Sequence, residues 1–459
     1  MPNHLPFDYN GKRVLVIGMA RSGIDASRLL LRLGAVPLLN DRKDAQALGT
    51  QLDCLKGTLA EWHLGEDPVP LLNTADVLLI SPGVPIDSPV VLKAKEMGIY
   101  TIGELEFAAQ QAQGLLIGVT GTNGKTTTVT LLGEIFKAAG RTAYVSGNIG
   151  TPFSQTAMVS RPEDVLVTEI SSFQLESIDT FHPRAAAVLN VTEDHLIRHY
   201  TMDNYIAMKR RVFENQNADD IAVLNADDPI CVQMAEGLAA RIAWFSRLRQ
   251  DLPGAFVLDG QLFIRWDGNE TPVCPAKDVY IPGAHNLENA MAASVIAFTL
   301  GIPASVIADT LRTFRGVEHR IEFVRELDGV RYINDSKGTN ADSTVKAIDT
   351  MTTPTVLILG GYDKHVSFEG LARHIIASPQ IEHTVLLGAT ADQLERELRQ
   401  AGYTHITRAA SFEEAVTLSR SLAKKGGAVL LSPACASFDM FSCFEERGER
   451  FKELVLQME

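Results

Sequence analysis

Residues 115–140 read LLIGVTGTNGKTTTVTLLGEIFKAAG, an apolar run that breaks into glycines and resumes with helical spacing. Strand, Gly-rich loop and helix in that order let a backbone curl around phosphate oxygens. Gly121 and Gly124 permit the close approach, backbone N–H groups and the helix N-terminus favour anionic oxygens, Lys125 reaches terminal phosphates, and Thr126 is placed to help hold Mg²⁺. Gly121, Thr122, Asn123, Gly124, Lys125, Thr126 and Thr127 are therefore the candidate ATP-binding residues. The strict pattern G-x-x-x-x-G-K-[ST] asks for glycine where Val119 stands, so a fortuitous Gly-rich turn is the competing reading.

Outward from this stretch, short apolar runs alternate with longer helical patterns: VLVIG (14–18), DVLLISPG (76–83), DVLVTEI (164–170), AAAVLNV (185–191), TVLILGG (355–361) and AVLLSPA (428–434). The alternation predicts an α/β protein of parallel sheets covered by helices. A chain of 459 residues exceeds what one core serves. Three domains are expected, 1–104, 105–316 and 317–459, the first boundary falling just before the second phosphate-type motif. Between Ala255 and Tyr280 the runs AFVLDG, QLFIRWDG and DVYIPG, with Asp-Gly turns, predict a small antiparallel sheet within the central domain.

The net charge of −14, with 21% charged and 46% hydrophobic residues, suits a globular protein. It argues against nucleic acid or an anionic membrane as partner, since both reward a basic surface. The opening MPNHLPFDYNGKR lacks the order of a secretory signal, and no apolar run is long enough to span a bilayer, so a cytoplasmic location is expected. Five cysteines without a C-x-x-C pair read as reduced thiols. A monomer is the expected state.

Further motifs surround the loop. VLVTEISSFQLE (165–176) ends a strand on Glu169, a position suited to a Mg²⁺ ligand, although a structural carboxylate can occupy it too. NVTEDHLIRHY (190–200) delivers Asn190, Asp194 and His195 ahead of a helix bearing Lys209, which by spacing alone is equally a helix-surface lysine. KRVLVIGMARSG (12–23) approximates a dinucleotide fingerprint with Ala20 for the middle glycine and Asp41 closing the next strand. Alone it points to an NAD-dependent dehydrogenase, yet the same geometry cradles any diphosphate. In RYINDSKGTNADST (331–344) a strand-to-helix loop carries Asp335, Lys337 and Thr339 where cations can meet phosphate or carboxylate.

TGTNGKTTT (120–128), opened by Thr120, resembles the variant phosphate loop of the Mur ligase family, in which the departure at Val119 is itself a trait. NVTEDHLIRH is similar to the family's N-[IV]-T-x-D-H-L-x-R-H segment, with Ile197 in place of the usual Asp, and NDSKGTN to its N-D-S-K-[AG]-T-N string. The resemblance implies a Rossmann-like N-terminal domain, a P-loop central domain and a Rossmann-like C-terminal domain that closes over ATP. It further implies an ATP-dependent, amide-forming ligase of peptidoglycan precursor synthesis working through an acyl phosphate. GGYDKHVSF (360–368) and LLSPACASFDMFSCFEERG (430–448) look closest to the D-glutamate-adding branch. The implied small-molecule partners are thus ATP, D-glutamate and UDP-N-acetylmuramoyl-L-alanine. Another amino-acid ligase of the same fold, such as a folylpolyglutamate synthetase, is the alternative.

Site residues carry over by the same resemblance. Lys125, Glu169, His195 and Lys209 are the catalytic candidates. Two Mg²⁺ ions are expected on Thr126, Glu169, His195 and Lys209, the last as a carbamate, which forms only from an uncharged amine. Asn286, Asn289, Arg320, Asp335 and Lys337 join the ATP set. Arg21, Ser22, Asp41, Arg42, Ser81, Gly83, Asn148, Ser171 and Gln174 are candidates for the UDP-sugar, with turn chemistry as the alternative for each. Thr339, Lys364, Ser437 and Phe444 are assigned to D-glutamate, although an aromatic at a helix start is more often packing.

Overall fold

The computed structural model describes residues 7–363 and 366–458. The described residues form three sheets, and the class is α/β as the alternation predicts. In the first sheet β1 (Arg13–Ile17), β2 (Val36–Asp41), β3 (Glu61–Leu64), β4 (Val77–Ile80) and β5 (Tyr100–Gly103) are ordered β3-β2-β1-β4-β5, every neighbour pair parallel. The order reverses between β1 and β4. That reversal opens a crevice at the carboxyl ends of the two strands, where ligands of open α/β sheets bind.

The second sheet is built on β6 (Leu115–Thr120), β7 (Ala143–Gly147), β8 (Val165–Glu169), β9 (Ala185–Val188), β10 (Ile221–Asn225) and β11 (Arg241–Ser246). It continues through β12 (Gly254–Leu258), β13 (Gln261–Trp266) and β14 (Asn269–Pro275), in the order β14-β13-β12-β11-β10-β9-β6-β8-β7. Its parallel strands are apolar without alternation, β8 through β10 buried along their whole length, as sheets covered on both faces require. Helix Lys125–Ala138 lies so close to the sheet that a Cβ on Gly133 would stand 2.5 Å from Val145 Cγ2.

The antiparallel run departs from expectation in one element. β12 and β13 match AFVLDG and QLFIRWDG, but the third strand is Asn269–Pro275, and DVYIPG is not a strand. Two prolines hid it: Pro272 and Pro275 stand on the outermost strand, where a missing N–H costs no ladder bond. β12 also pairs in parallel with β11, so the hairpins extend the central sheet.

The third sheet holds β15 (Glu322–Leu327), β16 (Val330–Asn334), β17 (Thr355–Leu359), β18 (Ile381–Leu386), β19 (Ile406–Arg408) and β20 (Ala428–Leu431), ordered β15-β16-β20-β17-β18-β19 with only β15 antiparallel. The first two sheets lie in one compact unit that runs to Val279 and resumes over Glu288–Thr313; Tyr280–Leu287 and the chain from Phe314 form a second. All five cysteines are unpaired. Among the described residues no helix is long and apolar enough to cross a membrane.

Candidate active site

The loop after β6 is fixed from behind by the segment after β9. Thr122 N donates to Asn190 O at 2.9 Å, and Asn123 exchanges bonds with the Asn190 side chain, N to Oδ1 at 2.9 Å and Nδ2 to Asn123 O at 3.1 Å. Gly124 sits at φ +86°, and a Cβ there would fall 2.2 Å from Asn289 Oδ1. A side chain at 124 therefore faces both the left-handed penalty and a clash. The helix beginning at Lys125 has no side-chain cap, which leaves its first turn suited to an anion.

Two lysines converge on this loop. Lys125 Nζ donates to Gly121 O and Thr122 O, both at 2.9 Å, and Lys209 Nζ donates to Gly121 O at 2.9 Å. Lys209 is fully buried, not on a helix surface. Its Nζ lies 4.4 Å from the centre of the Tyr205 ring, one helical turn earlier. Burial first, then the charge of Lys125, holds the Lys209 pKa well below its ordinary value, so the neutral amine is favoured. That state is the one that can capture CO₂.

At the end of β8 the buried Glu169 accepts from Thr126 Oγ1 at 2.8 Å and from Asn148 Nδ2 at 3.0 Å. Two oxygen donors thus already converge, a set that suits a hard cation such as Mg²⁺. Asn148, expected at the UDP-sugar, is bound to Glu169 in this structure. His195 opens helix Leu196–His199 at φ +56°. Its Nε2 stands 3.6 Å from Asp194, and its ring is edge-on to Phe173 at 4.8 Å between centroids.

In the first sheet's crevice Asp41 accepts from Met19 N at 2.7 Å and from Lys43 N at 2.9 Å, and Ser81 Oγ donates to Gly18 O at 2.8 Å. Arg21, Arg42 and Gly83 are exposed and Ser22 half-buried around it. Ser171 and Gln174 form a reciprocal capping box at helix Ser172–Leu175. Gln174 also lines a cleft with Ser81, Val84 and Phe173.

In the second unit Asp335 is fully buried. It accepts from Ser432 Oγ at 2.7 Å and Ile321 N at 3.2 Å, with Arg320 Nη1 at 3.9 Å. Burial raises its pKa to about 6 against the pull of Arg320. Lys337 Nζ lies 4.9 Å from the Phe444 ring centre, and Thr339 N donates to Lys337 O at 2.9 Å. The Ser437 hydroxyl is buried and has no hydrogen-bond partner among the described residues. Lys364 lies outside the described residues. Asn286 donates to Pro282 O at 2.7 Å. Arg447, which no local motif announces, is buried and bonds Ser336 Oγ and O and the carbonyls of Cys435 and Ala436, pinning the 336 and 436 loops together.

Comparison with known proteins matches three family domains in succession along the chain. The description "Mur ligase MurD-like, N-terminal domain" matches residues 12–103, "Mur ligase middle domain" 119–297 and "Mur ligase, glutamate ligase domain" 319–435. The chain is 47% identical over 450 residues to the UDP-N-acetylmuramoylalanine--D-glutamate ligase of Clostridioides difficile (strain 630), covering 98% of this chain and 99% of that one. To the ligase of the same name from Thermoanaerobacter sp. (strain X514) it is 45% identical over 453 residues, again covering 98% and 99%. Among solved structures it is similar in fold to a pseudomurein peptide ligase type C from Methanothermus fervidus (TM-score 0.61, 19% identity, 98% and 100% covered). The MurF ligase of Thermotoga maritima in complex with ADP is similar too (TM-score 0.58, 18% identity, 98% and 96% covered). With three of its domains matched in order and such relatives aligned from end to end, the chain belongs to the Mur ligase family, in the group of the UDP-N-acetylmuramoylalanine--D-glutamate ligases.

Proposed function

We infer that this chain uses ATP to join D-glutamate to the L-alanine carboxyl of UDP-N-acetylmuramoyl-L-alanine, releasing ADP and phosphate, a cytoplasmic step of peptidoglycan precursor synthesis. The observation that carries the reading is the loop where Lys125 and the buried Lys209 both bond Gly121 O. It is a phosphate-handling centre within a chain 42–47% identical over its length to ligases of that name.

A carboxylate and an ammonium do not condense unaided. The L-alanine carboxylate takes the γ-phosphoryl group of ATP, giving an acyl phosphate and ADP; the free amine of D-glutamate then attacks the acyl carbon and phosphate departs. Two anions must meet in the first step, and the residues answer to that need. The first-turn N–H groups of helix Lys125–Ala138 and the Lys125 ammonium bind and orient the phosphates. Thr126 and Glu169 would hold one Mg²⁺, and Glu169 and His195, joined by carbamylated Lys209, a second; bound metal neutralises charge on the transferring phosphoryl oxygens. Asn148 orients Glu169.

Segments 1–104, 105–316 and 317–459 serve as the UDP-sugar, ATP and amino-acid domains. Arg21, Ser22, Asp41, Arg42, Ser81 and Gly83 surround the UDP group, and Ser171 and Gln174 the sugar. Asn286, Asn289, Arg320, Asp335 and Lys337 serve the nucleotide. Thr339, Lys364 and Ser437 grip the D-glutamate carboxylates and Phe444 walls one side, a role that gives the Ser437 hydroxyl, unpartnered among the described residues, a hydrogen-bond partner. The test is phosphate release across a panel of amino acids with UDP-N-acetylmuramoyl-L-alanine and Mg·ATP. D-glutamate alone supports turnover, and Lys125→Ala abolishes ADP and product together; full turnover in that variant removes the loop from the mechanism.

A further inference from the structure

His195 opens a helix of a single turn at a left-handed backbone angle, so its ring depends on what it packs against. That support is Phe173, whose ring lies 4.8 Å from His195 and 5.4 Å from His199, centroid to centroid. Arg198 covers the same Phe173 ring, its guanidinium carbon 5.2 Å from the centroid. The Arg198 fork also grips Glu176, Nε at 3.1 and 3.2 Å from the two carboxylate oxygens and Nη2 at 2.6 Å from Oε2. From that anchor Nη2 donates to Val84 O at 2.8 Å. Val84 lines the cleft with Ser81, Phe173 and Gln174, and a second tie follows where Tyr200 donates to Asp87 at 2.5 Å.

One side chain therefore joins the 173–176 segment, which holds both the ring under His195 and the Glu176 carboxylate, to the distant segment after β4. Glu176 is only 4% exposed and Arg198 15%, which shields the pair from solvent and salt. We propose that Arg198 is a positioning residue that locks the Phe173–His195 ring contact to the 81–88 segment, so that a UDP-sugar seated on that segment meets His195 at a fixed reach. The inference rests on the functional reading above. Only a planar fork can bind Glu176 through two nitrogens, cover an aromatic face and still reach a backbone carbonyl; a lysine offers one point charge.

The experiment measures steady-state kinetics for all three substrates in Arg198→Lys, Phe173→Leu, the double variant and wild type, with a melting curve for each. Arg198→Lys raises KM for UDP-N-acetylmuramoyl-L-alanine about tenfold while KM for D-glutamate and ATP stays within about twofold, the size expected for losing charge-assisted bonds. Phe173→Leu gives the same split, and the double variant is no worse than the worse single one, because both act on one path. Should Arg198→Lys fail to fold, Glu176→Gln must show the split in its place. A variant with unchanged KM and merely lower kcat holds less folded enzyme, and that result overturns the proposal, as does additivity in the double variant. If wild type turns over and Arg198→Lys matches it, this inference alone falls; if wild type does not turn over, the functional reading falls and takes it along.

Discussion

Lys209 shows how one buried amine serves chemistry at a cost to stability. Its depressed pKa means that unfolding takes up a proton between the lowered folded value and the ordinary lysine range, so the residue weakens the fold below that range. The proposed gain is easier access to the uncharged amine that CO₂ captures. Lys209→Arg keeps the reach toward Gly121 O with a permanent charge, and ADP formation falls by roughly 100-fold or more. Removing bicarbonate lowers wild-type activity and its return restores it, whereas the variant responds to neither; equal bicarbonate dependence in both would rule out the carbamate. Asp335 carries the opposite sign of shift. Its folded pKa of about 6 lies above the ordinary aspartate value of 3.8, so the folded state holds the proton more tightly. Its contribution is full below pH 4 and is lost as pH rises through 6. Between those limits the unfolding free energy of wild type, relative to Asp335→Asn, falls by about 3 kcal/mol, measurable by urea titration across pH; a flat difference would show that Asp335 titrates normally.

At the scale of elements, the loop and helix of the phosphate site depend on a residue from another helix. Asn289 occupies the space a Cβ at 124 would need, so Gly124→Ala pays both strain and clash, destabilising by ~2 kcal/mol or more and weakening binding of an ATP analogue by calorimetry. Wild-type affinity in that variant would show the turn to be tolerant. Helix Glu104–Gln111 is tied in differently. The Glu106 carboxylate accepts from Asp179 N at 2.9 Å, Thr180 N at 3.0 Å and Phe181 N at 2.9 Å, holding the chain after helix Ser172–Leu175. A glutamine places an NH₂ against one of those donors, so Glu106→Gln lowers stability by ~2–3 kcal/mol, read as a lower melting temperature, while the affinity for ATP is unchanged.

For the molecule as a whole, two compact units make ligand-specific stabilisation the telling measurement. Every candidate contact for the UDP-sugar lies in the first unit and every described one for D-glutamate in the second. UDP-N-acetylmuramoyl-L-alanine at a hundred times its Kd adds ~2.7 kcal/mol to whatever binds it, and hydrogen exchange will show that protection over 12–200 and not over 317–458. Protection spread evenly over both would contradict the assignment. The sequence by itself determined the alternation of strands and helices and the phosphate loop, because period, glycine placement and the strand-to-helix order are local properties. Tertiary structure alone decided the state of the site's side chains. Lys209 reaches Gly121 across 88 residues of chain, Asn190 reaches Asn123 across 67, and Arg198 reaches Val84 across 114. Burial and charge are set by such distant neighbours, and no window of sequence around Lys209 could distinguish a solvated lysine from the buried amine of depressed pKa that the packed protein holds.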